Sequence, residues 1–356
     1  MTSVAASAPG KLLLTGEYAV LEGAPAVVAA VERRVRVHVE AVAPGDGRLT
    51  AVPLGLNAEP VHVVDGVLRS RARPDIRLGA TAHFLPAALA AIGNAAGPGS
   101  LAITIDSREL FERGADDAPV KLGLGSSAAV CAALAVALER LHGIPAADRN
   151  PAAALGRWLP VYRRALDSRA SGADLAAAFH GGLIAFADDA DGPVATRLDW
   201  PRGLQWQPVW VGRPALTGDF VARFDAWKAT GGGRARARLR DLVAAARAAA
   251  GAVHSAEAFV AAAADYADAI AALAGAMRVE VVSEAHRALF GAAQRLGTTY
   301  KTCGAGGGDF GIALDTDRGR VTAFAAAAAE CGAVPVHLRV APQGAASEAV
   351  RDASGH

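Results

Sequence analysis

The stretch 119-PVKLGLGSSAAVCAALAVALERL-141 carries the strongest structural signal in this chain of 356 residues. Its residues 122–128 are glycine, serine, alanine and leucine, and the long apolar run that follows predicts a buried helix. The N-terminus of a helix leaves backbone N–H groups unpaired and carries the positive end of the helix dipole, so a glycine-rich loop there is typical of phosphate binding. Gly123 and Gly125 let the main chain approach an anion closely, and the hydroxyls of Ser126 and Ser127 can reach phosphate or a magnesium ion.

Two other interpretations of this loop stay open from these residues alone. Ser126 can serve only as the N-cap of the helix. The spacing Gly123-x-Gly125-x-x-Ala128 also matches a dinucleotide-binding fingerprint, which needs a strand running directly into the glycines. Here the polar residues 108–117 separate the glycines from the apolar strand predicted over 100–106. The loop by itself therefore indicates phosphate binding and nothing narrower.

Composition narrows the class of protein. Apolar residues make up 52% of the chain and the formal net charge is +1, so a broad nucleic-acid surface is not expected. The length allows two domains. Three cysteines without paired spacing favour a reducing compartment over a disulfide framework or a zinc site. No signal-peptide pattern opens the chain and the most apolar helices are expected to fall short of a membrane span, so we expect a cytoplasmic protein with no membrane partner.

Lysine is scarce in this chain, because only four of the 36 basic residues are lysine. Three of them, Lys11, Lys121 and Lys301, lie in or beside glycine-rich loops. The compact ammonium of lysine differs from the flat guanidinium of arginine in how it meets a phosphate. These three lysines are therefore candidate phosphate ligands.

Two further glycine-rich patches lie near the two ends of the chain. The first, 9-PGKLLLTGEYAVLEG-23, predicts a turn and a short apolar strand that Gly16 ends, leaving Glu17 and Tyr18 on a bend. The second, 301-KTCGAGGGDFGIAL-314, predicts a turn over residues 304–308 followed by a strand. Glycine costs stability where its conformational freedom is not needed, so these glycines indicate close approach of the backbone to a ligand or to another loop.

A fourth segment, 169-RASGADLAAAFHGGLIAF-186, places an acidic residue at the start of a predicted helix. Ser171 and Gly172 form a turn, and Asp174 follows directly. An aspartate in this position is by itself most often a cap or a partner of the helix dipole.

Taken together, the patches resemble the motifs of the GHMP kinase superfamily, named for galactokinase, homoserine kinase, mevalonate kinase and phosphomevalonate kinase. The resemblance implies an α+β fold of two domains, with ATP and substrate bound between them. Residues 1–190 would form an N-terminal α/β domain of the type found in a ribosomal protein, and residues 191–356 a C-terminal ferredoxin-like α+β domain.

Within the superfamily, the residues are most similar to those of phosphomevalonate kinases. Tyr18 stands where mevalonate kinases typically carry histidine, and Asp309 where they typically carry glycine. Arg163 stands where they place a magnesium-binding glutamate. Ala170 and Cys303 depart from the phosphomevalonate kinase pattern, which has glycine and serine there. The similarity implies transfer of phosphate from ATP to 5-phosphomevalonate, giving 5-diphosphomevalonate for isoprenoid biosynthesis.

The resemblance also implies a role for each candidate residue. Lys11 would be catalytic by neutralising charge between the two reacting phosphates, and Asp174 would be catalytic by orienting Lys11. Ser127 would bind Mg²⁺. The residues expected to bind ATP are Lys121, Gly123, Leu124, Gly125, Ser126, Ser127 and Ala128. Those expected to bind the substrate are Glu17, Tyr18, Arg163, Ser171, Gly172, Lys301, Gly304, Ala305, Gly306 and Asp309.

The expected partners are ATP, Mg²⁺ and a small-molecule acceptor, bound by a monomer or a homodimer. Lys121, Arg163 or Arg164 would hold the phosphate of the acceptor. Two alternatives remain: another GHMP kinase that acts on an alcohol such as mevalonate, and a non-catalytic small-molecule sensor on the same fold. The presence of Lys11, Ser127 and Asp174 argues against the sensor.

Overall fold

The computed structural model describes residues 3–93, 97–113, 118–145, 149–166, 170–212 and 217–348. Its strands, in chain order, are β1 (Ser3–Thr15), β2 (Ala26–Ala41), β3 (Arg48–Ala51), β4 (Leu56–Val64), β5 (Val67–Ser70), β6 (Leu101–Asp106), β7 (Phe111–Arg113), β8 (Pro119–Lys121), β9 (Leu183–Asp189), β10 (Gly192–Leu198), β11 (Gln205–Trp210), β12 (Thr299–Thr302), β13 (Phe310–Asp315), β14 (Val334–Pro335) and β15 (Ala346–Glu348). Its helices are α1 (Thr81–Ala91), α2 (Ser126–Leu141), α3 (Pro151–Leu166), α4 (Ala173–His180), α5 (Thr217–Thr230), α6 (Gly232–Ala252), α7 (Ala256–Met277), α8 (Glu284–Leu296) and α9 (Arg318–Glu330).

A large mixed sheet organises the first part of the chain. Its strand order is β10-β9-β2-β6-β3-β4-β5, and β1 pairs with both β2 and β15. Along β2 the valines at 35, 37 and 39 are buried while their charged neighbours are more exposed, as the alternating sequence predicts. β2 is one continuous strand from Ala26 to Ala41. A register shift between Pro9 and Gly10 accommodates its charged residues 32 and 33 as a bulge.

The helix predicted after the glycine-rich loop is confirmed as α2, which packs against β1 and β2. Residues 128–139 of this helix are buried without a break. A helix that is apolar on all sides belongs in a core, and its alanines allow close approach to the sheet. α4 packs on α2 and β1, so the N-terminal ends of both helices are held next to the first strand.

A second, four-stranded sheet has the order β12-β13-β11-β14, with its neighbouring strands antiparallel. α8 and α9 pack on its strands β12 and β11. The order of these strands and the crossings through α8 and α9 are those of a ferredoxin-like unit. The α+β fold predicted from the sequence is therefore confirmed.

The expected domain boundary after residue 190 falls inside a hairpin of the large sheet. β9 and β10 pair antiparallel from Asp189 with Gly192 to Leu183 with Leu198. A domain boundary at the turn of this hairpin would place two hydrogen-bonded strands in different domains. We propose instead that the first unit includes β10, and that β15 returns to it at the end of the chain.

One helix is long and apolar enough to cross a membrane, although the sequence led us to expect no such helix. α7 has 22 residues and a mean hydropathy of 1.4 in its most apolar window, which is enough to cross a membrane. In the structure its residues Phe259, Tyr266, Ile270 and Leu273 are buried against other parts of the chain. The core helix of a soluble protein passes the same test, so this finding is weak evidence for a membrane span.

Candidate functional site

The glycine-rich segments meet at one cleft of about 800 Å³. The predicted site residues that line it are Lys11, Glu17, Tyr18, Lys121, Gly123, Gly125, Ser126, Ser127, Ser171, Asp174, Gly304, Ala305 and Asp309. The cleft brings together β1, the N-terminal ends of α2 and α4, and the turn before β13. The predicted residues that do not line it are Leu124, Ala128, Arg163, Gly172, Lys301 and Gly306.

The loop before α2 has the backbone that its glycines suggested. Gly123 and Gly125 have φ angles of 78° and 74°, in the left-handed region that favours glycine. Gly125 is the N-cap of α2 and no side chain caps the helix. The interpretation of Ser126 as a mere N-cap is therefore wrong, because Ser126 is the first residue of the helix. β8 runs into the loop but pairs with β7 in a separate two-stranded sheet, unlike the strand of a dinucleotide site.

Lys11 is joined to this loop through both its backbone and its side chain. The N–H of Lys11 donates to the carbonyl of Leu124 at 2.8 Å. A Cβ built on Gly125 would lie 2.8 Å from Cγ of Lys11, so the lysine side chain covers that glycine directly. The half-buried ammonium of Lys11 is thereby delivered to the cleft beside the start of α2.

Asp174 lies in the first turn of α4 and lines the same cleft. Its Oδ2 accepts a hydrogen bond from the hydroxyl of Tyr162 at 3.2 Å, and its Oδ1 accepts from the N–H of Leu175 at 2.9 Å. Burial, and secondarily the charge of Asp174, raise the pKa of Tyr162 well above its ordinary value, so the phenol stays a donor. Asp174 was expected to orient Lys11, but among the described contacts of these two residues there is no ion pair between them. Tyr162 was missed in the sequence, although a tyrosine on a buried helix face needs a hydrogen-bond partner.

Lys121 ends β8 at the mouth of the loop. Its Nζ lies 3.5 Å from Oγ of Ser127. Partial desolvation at the rim of the cleft lowers the pKa of Lys121, and the charge of Asp309 acts in the opposite direction, while the residue as a whole remains exposed. Lys121, Ser127 and Asp309 therefore form one cluster.

The glycines of the patch 301–314 lie close to other segments of the protein chain. A Cβ on Gly306 would lie 2.3 Å from Cγ1 of Val281, and the N–H of Gly307 donates to the carbonyl of Val281 at 2.7 Å. From the other side, the hydroxyl of Tyr18 donates to the carbonyl of Ala305 at 2.5 Å. Of the two reasons considered for these glycines, packing against another segment accounts for Gly306 and Gly307.

Lys301 is not available to a ligand in the way the sequence suggested. Its Nζ is 2.6 Å from Oε1 of Glu17, and the two side chains are only 2% and 3% exposed. Lys301 also donates to the carbonyl of Thr302. Glu17 lines the cleft, and its other oxygen, Oε2, is buried without a hydrogen-bond partner. The expected contact of Lys301 with substrate is therefore corrected to a buried ion pair between two distant parts of the chain.

Arg163 is also not among the residues that line the cleft. Its guanidinium donates to the carbonyls of Ala170 and Ser171, at 3.0 and 2.8 Å, and forms an ion pair with Asp188. These contacts use the guanidinium to hold the segment that leads into α4. The expectation that Arg163 binds the phosphate of the substrate is corrected accordingly, and Arg164 is exposed on the same helix.

The donor atoms present fit a nucleotide-bound metal ion better than an all-protein metal centre. Over the parts of the chain that the structure describes, no group of three or more His, Cys, Asp or Glu side chains could hold a metal ion. The cleft instead offers the hydroxyl of Ser127 and the carboxylates of Asp174 and Asp309, around a glycine loop that could accept phosphate. Mg²⁺ usually takes one or two carboxylates together with phosphate oxygens and water.

Comparisons with protein families, curated proteins and solved structures all find kinases of the GHMP superfamily. The family described as GHMP kinases N terminal domain matches residues 82–182. A phosphomevalonate kinase from a Streptomyces species is 30% identical over 341 residues, which cover 86% of this chain and 88% of that protein. A mevalonate kinase from Aeropyrum pernix is 30% identical over 192 residues, 51% of this chain and 49% of that protein. The solved structure of Streptococcus pneumoniae phosphomevalonate kinase with phosphomevalonate and AMPPNP matches with a TM-score of 0.67 at 17% identity, covering 95% and 99% of the two chains.

Proposed function

The chain belongs to the GHMP kinase family, and from this premise we propose that it transfers the γ-phosphate of ATP to 5-phosphomevalonate, giving ADP and 5-diphosphomevalonate. The observation that carries the proposal is the similarity to a phosphomevalonate kinase over nearly the whole of both chains. The two ammonium groups of Lys11 and Lys121 on one cleft support it, because the reaction brings two phosphate anions together.

In the proposed reaction Lys11 neutralises charge where the acceptor meets the γ-phosphate. A phosphate acceptor is already ionised near neutral pH, so positioning and charge neutralisation matter more than a strong base. Asp174 acts on the same cleft as Lys11 and is itself oriented by the hydroxyl of Tyr162. Arg163 stabilises the segment that leads into α4 by donating to the carbonyls of residues 170 and 171.

The proposed nucleotide site is the loop of residues 123–128 together with Lys121. Backbone N–H groups at the start of α2 would hold the ATP phosphates, and the hydroxyl of Ser127 would hold Mg²⁺. When bound, Mg²⁺ offsets the charge of the phosphate oxygens. On the acceptor side, Glu17, Tyr18, Ser171 and the loop at Gly304 line the proposed substrate site. The proposed setting is the cytoplasm, with free thiols at all three cysteines, and a monomer or homodimer with small-molecule partners.

Mevalonate is the second candidate acceptor. Mevalonate kinases from two archaea match about half of this chain at 30% and 31% identity. A hydroxyl acceptor must lose its proton in the reaction, so that reaction would depend more strongly on a base such as Asp174.

Competition between the two acceptors in one tube tests the proposal. With ATP and Mg²⁺ present, phosphorus NMR should show a preference for 5-phosphomevalonate of about 100-fold in kcat/KM, which corresponds to roughly 3 kcal/mol from one or two charged contacts. If mevalonate is consumed first, the proposed acceptor is wrong and the family assignment stands.

A matched pair of lysine variants tests the role of Lys11. Lys11→Met should lower kcat by roughly 100-fold, the scale of losing one preorganised electrostatic contact. Lys228→Met removes the same charge at a partly exposed ion pair with Glu22 and should leave kcat unchanged. Equal kcat values for the two variants would refute the role of Lys11.

A further inference from the structure

Asp309 lies on the nucleotide side of the cleft, although its sequence position suggested the acceptor side. A Cβ built on Gly123 would lie 2.3 Å from Cγ of Asp309, and 2.4 and 2.6 Å from its two carboxylate oxygens. The carboxylate therefore rests directly on the glycine loop. Any side chain at residue 123 would displace it, which gives Gly123 a second reason to be glycine besides its φ of 78°.

The backbone around Asp309 fixes this position from the second unit of the fold. Asp309 has a φ of 57°, a left-handed conformation that aspartate tolerates better than most residues. Its carbonyl accepts from the N–H of Val211 at 3.0 Å. The preceding carbonyl, of Gly308, lies 3.2 Å from Nε2 of the buried His286. Non-glycine residues held in this region cluster at functional sites.

A carboxylate on a phosphate loop raises an electrostatic problem. The loop is expected to bind the ATP phosphates, and like charges at short range repel unless a cation lies between them. In the structure the ammonium of Lys121 lies 3.5 Å from Oγ of Ser127 and feels the charge of Asp309. A positive charge therefore already lies near the hydroxyl of Ser127 and interacts electrostatically with the carboxylate of Asp309.

We propose that Asp309 and Ser127 are together the protein ligands of the divalent cation that accompanies the nucleotide, with Asp309 reaching it from the second unit. The inference rests on the proposed use of ATP and Mg²⁺. Two oxygen ligands completed by phosphate and water are a usual set for Mg²⁺. The described residues provide no cluster of three acidic, histidine or cysteine side chains that would bind the ion alone.

In this arrangement the two protein ligands come from different units of the fold. Ser127 belongs to α2 of the first unit and Asp309 precedes β13 of the second unit. One ion bound to both side chains joins the two units across the nucleotide. Without the ion, the carboxylate of Asp309 opposes the binding of the phosphates.

The test measures metal binding without turnover. Mn²⁺ is titrated into the full-length protein saturated with ADP, and free Mn²⁺ is followed by electron paramagnetic resonance. Asp309→Asn keeps the size of the side chain and the tolerance for positive φ, so the loop should keep its conformation. We expect this variant to bind Mn²⁺ about tenfold more weakly or worse, equivalent to about 1.4 kcal/mol. In EDTA its affinity for ADP, measured by calorimetry, should equal or exceed that of the unmodified protein.

Glu280→Gln is the matched control. Glu280 lies beside the turn of residues 304–308 that precedes Asp309, because a Cβ built on Gly307 would lie 3.6 Å from the carbonyl oxygen of Glu280. Its side chain, however, is 64% exposed and pairs with Arg287. This variant loses the same charge and should bind Mn²⁺ and ADP normally. Ser127→Ala should weaken Mn²⁺ binding in the same assay as Asp309→Asn does.

Three outcomes would overturn the inference. Normal Mn²⁺ affinity of Asp309→Asn in the ADP complex would show that the carboxylate is no ligand, even if metal-free ADP then binds more tightly. Equal losses of ADP affinity with and without Mn²⁺ would assign Asp309 to the shape of the loop instead. The assay contains no acceptor, so an error in the proposed acceptor leaves its result intact. An unmodified protein that fails to bind ADP would refute both proposals together.

Discussion

Replacing Lys301 by methionine should destabilise the protein far more than the same replacement at an exposed ion pair. Lys301 and Glu17 form a buried pair at 2.6 Å, with side chains 2% and 3% exposed. Methionine retains most of the volume of lysine but removes the charge. The carboxylate of Glu17 then stays buried with neither oxygen paired, because its Oε2 has no partner even in the intact protein.

The size of the effect follows from the burial of the pair. Removing one partner of a buried ion pair costs about 3–5 kcal/mol, because an uncompensated charge remains in the interior. The unfolding entropy of globular proteins is about 2.1 cal/mol/K per residue, or about 0.75 kcal/mol/K for a chain of this length. The expected fall in the unfolding midpoint Tm is therefore about 4–7 °C.

A double variant separates the stranded charge from lost packing. Glu17→Gln together with Lys301→Met removes both charges. The free energy of unfolding of this double variant should be about 2 kcal/mol higher than the value obtained by adding the losses of the two single variants. Lys228→Met breaks the pair with Glu22, whose side chains are 44% and 19% exposed, and should cost less than about 1 kcal/mol.

Thermal and urea unfolding of Lys301→Met, Glu17→Gln, the double variant and Lys228→Met, followed by circular dichroism, measures these differences. Equal Tm values for Lys301→Met and Lys228→Met would refute the reasoning. Strict additivity of the two changes in the double variant would refute it as well, because the residues would then not interact.

Three further predictions concern the cleft. Tyr18→Phe removes the hydrogen bond to the carbonyl of Ala305 and should lower the free energy of unfolding by about 1 kcal/mol while raising the KM for the acceptor; an unchanged KM would separate this bond from the acceptor site. Arg163→Lys cannot reproduce the forked contacts of the guanidinium, so kcat should fall about tenfold with the KM for ATP unchanged, and a higher KM for ATP with normal kcat would contradict the positioning role. Burial raises the pKa of the Cys303 thiol to about 12, so its thiolate fraction at about pH 8 is about a thousandfold below that of an ordinary thiol. Iodoacetamide should therefore modify the exposed Cys331 first, as mass spectrometry of the peptides would show, and equal modification of Cys303 would contradict its burial.

Local patterns in the sequence predicted the parts of the molecule that local interactions determine. The apolar run after Gly125 predicted the helix α2, and the apolar residues before Gly16 predicted a strand, which is the end of β1 at Thr15. The bulge of β2 at residues 32 and 33 was not predicted. The bulge arises only when β2 pairs with β1.

The partners of charged side chains were the least predictable feature. Lys301, Arg163 and Asp309 were all expected to bind the substrate because of the resemblance to the kinase family. Lys301 instead pairs with Glu17, which is 284 residues away, and Arg163 with Asp188, which is 25 residues away. Such contacts depend on how distant elements pack, and no short-range spacing in the sequence encodes them.

β1 and β15 are far apart in the sequence but are neighbours in the large sheet, because Glu348 of β15 pairs with Ala5 of β1. During synthesis on the ribosome β1 emerges long before β15, the strand that covers one of its edges. This part of the edge of β1 therefore stays open until β15 has been made, and open edges favour pairing between molecules. Removing β15 would make that temporary state permanent.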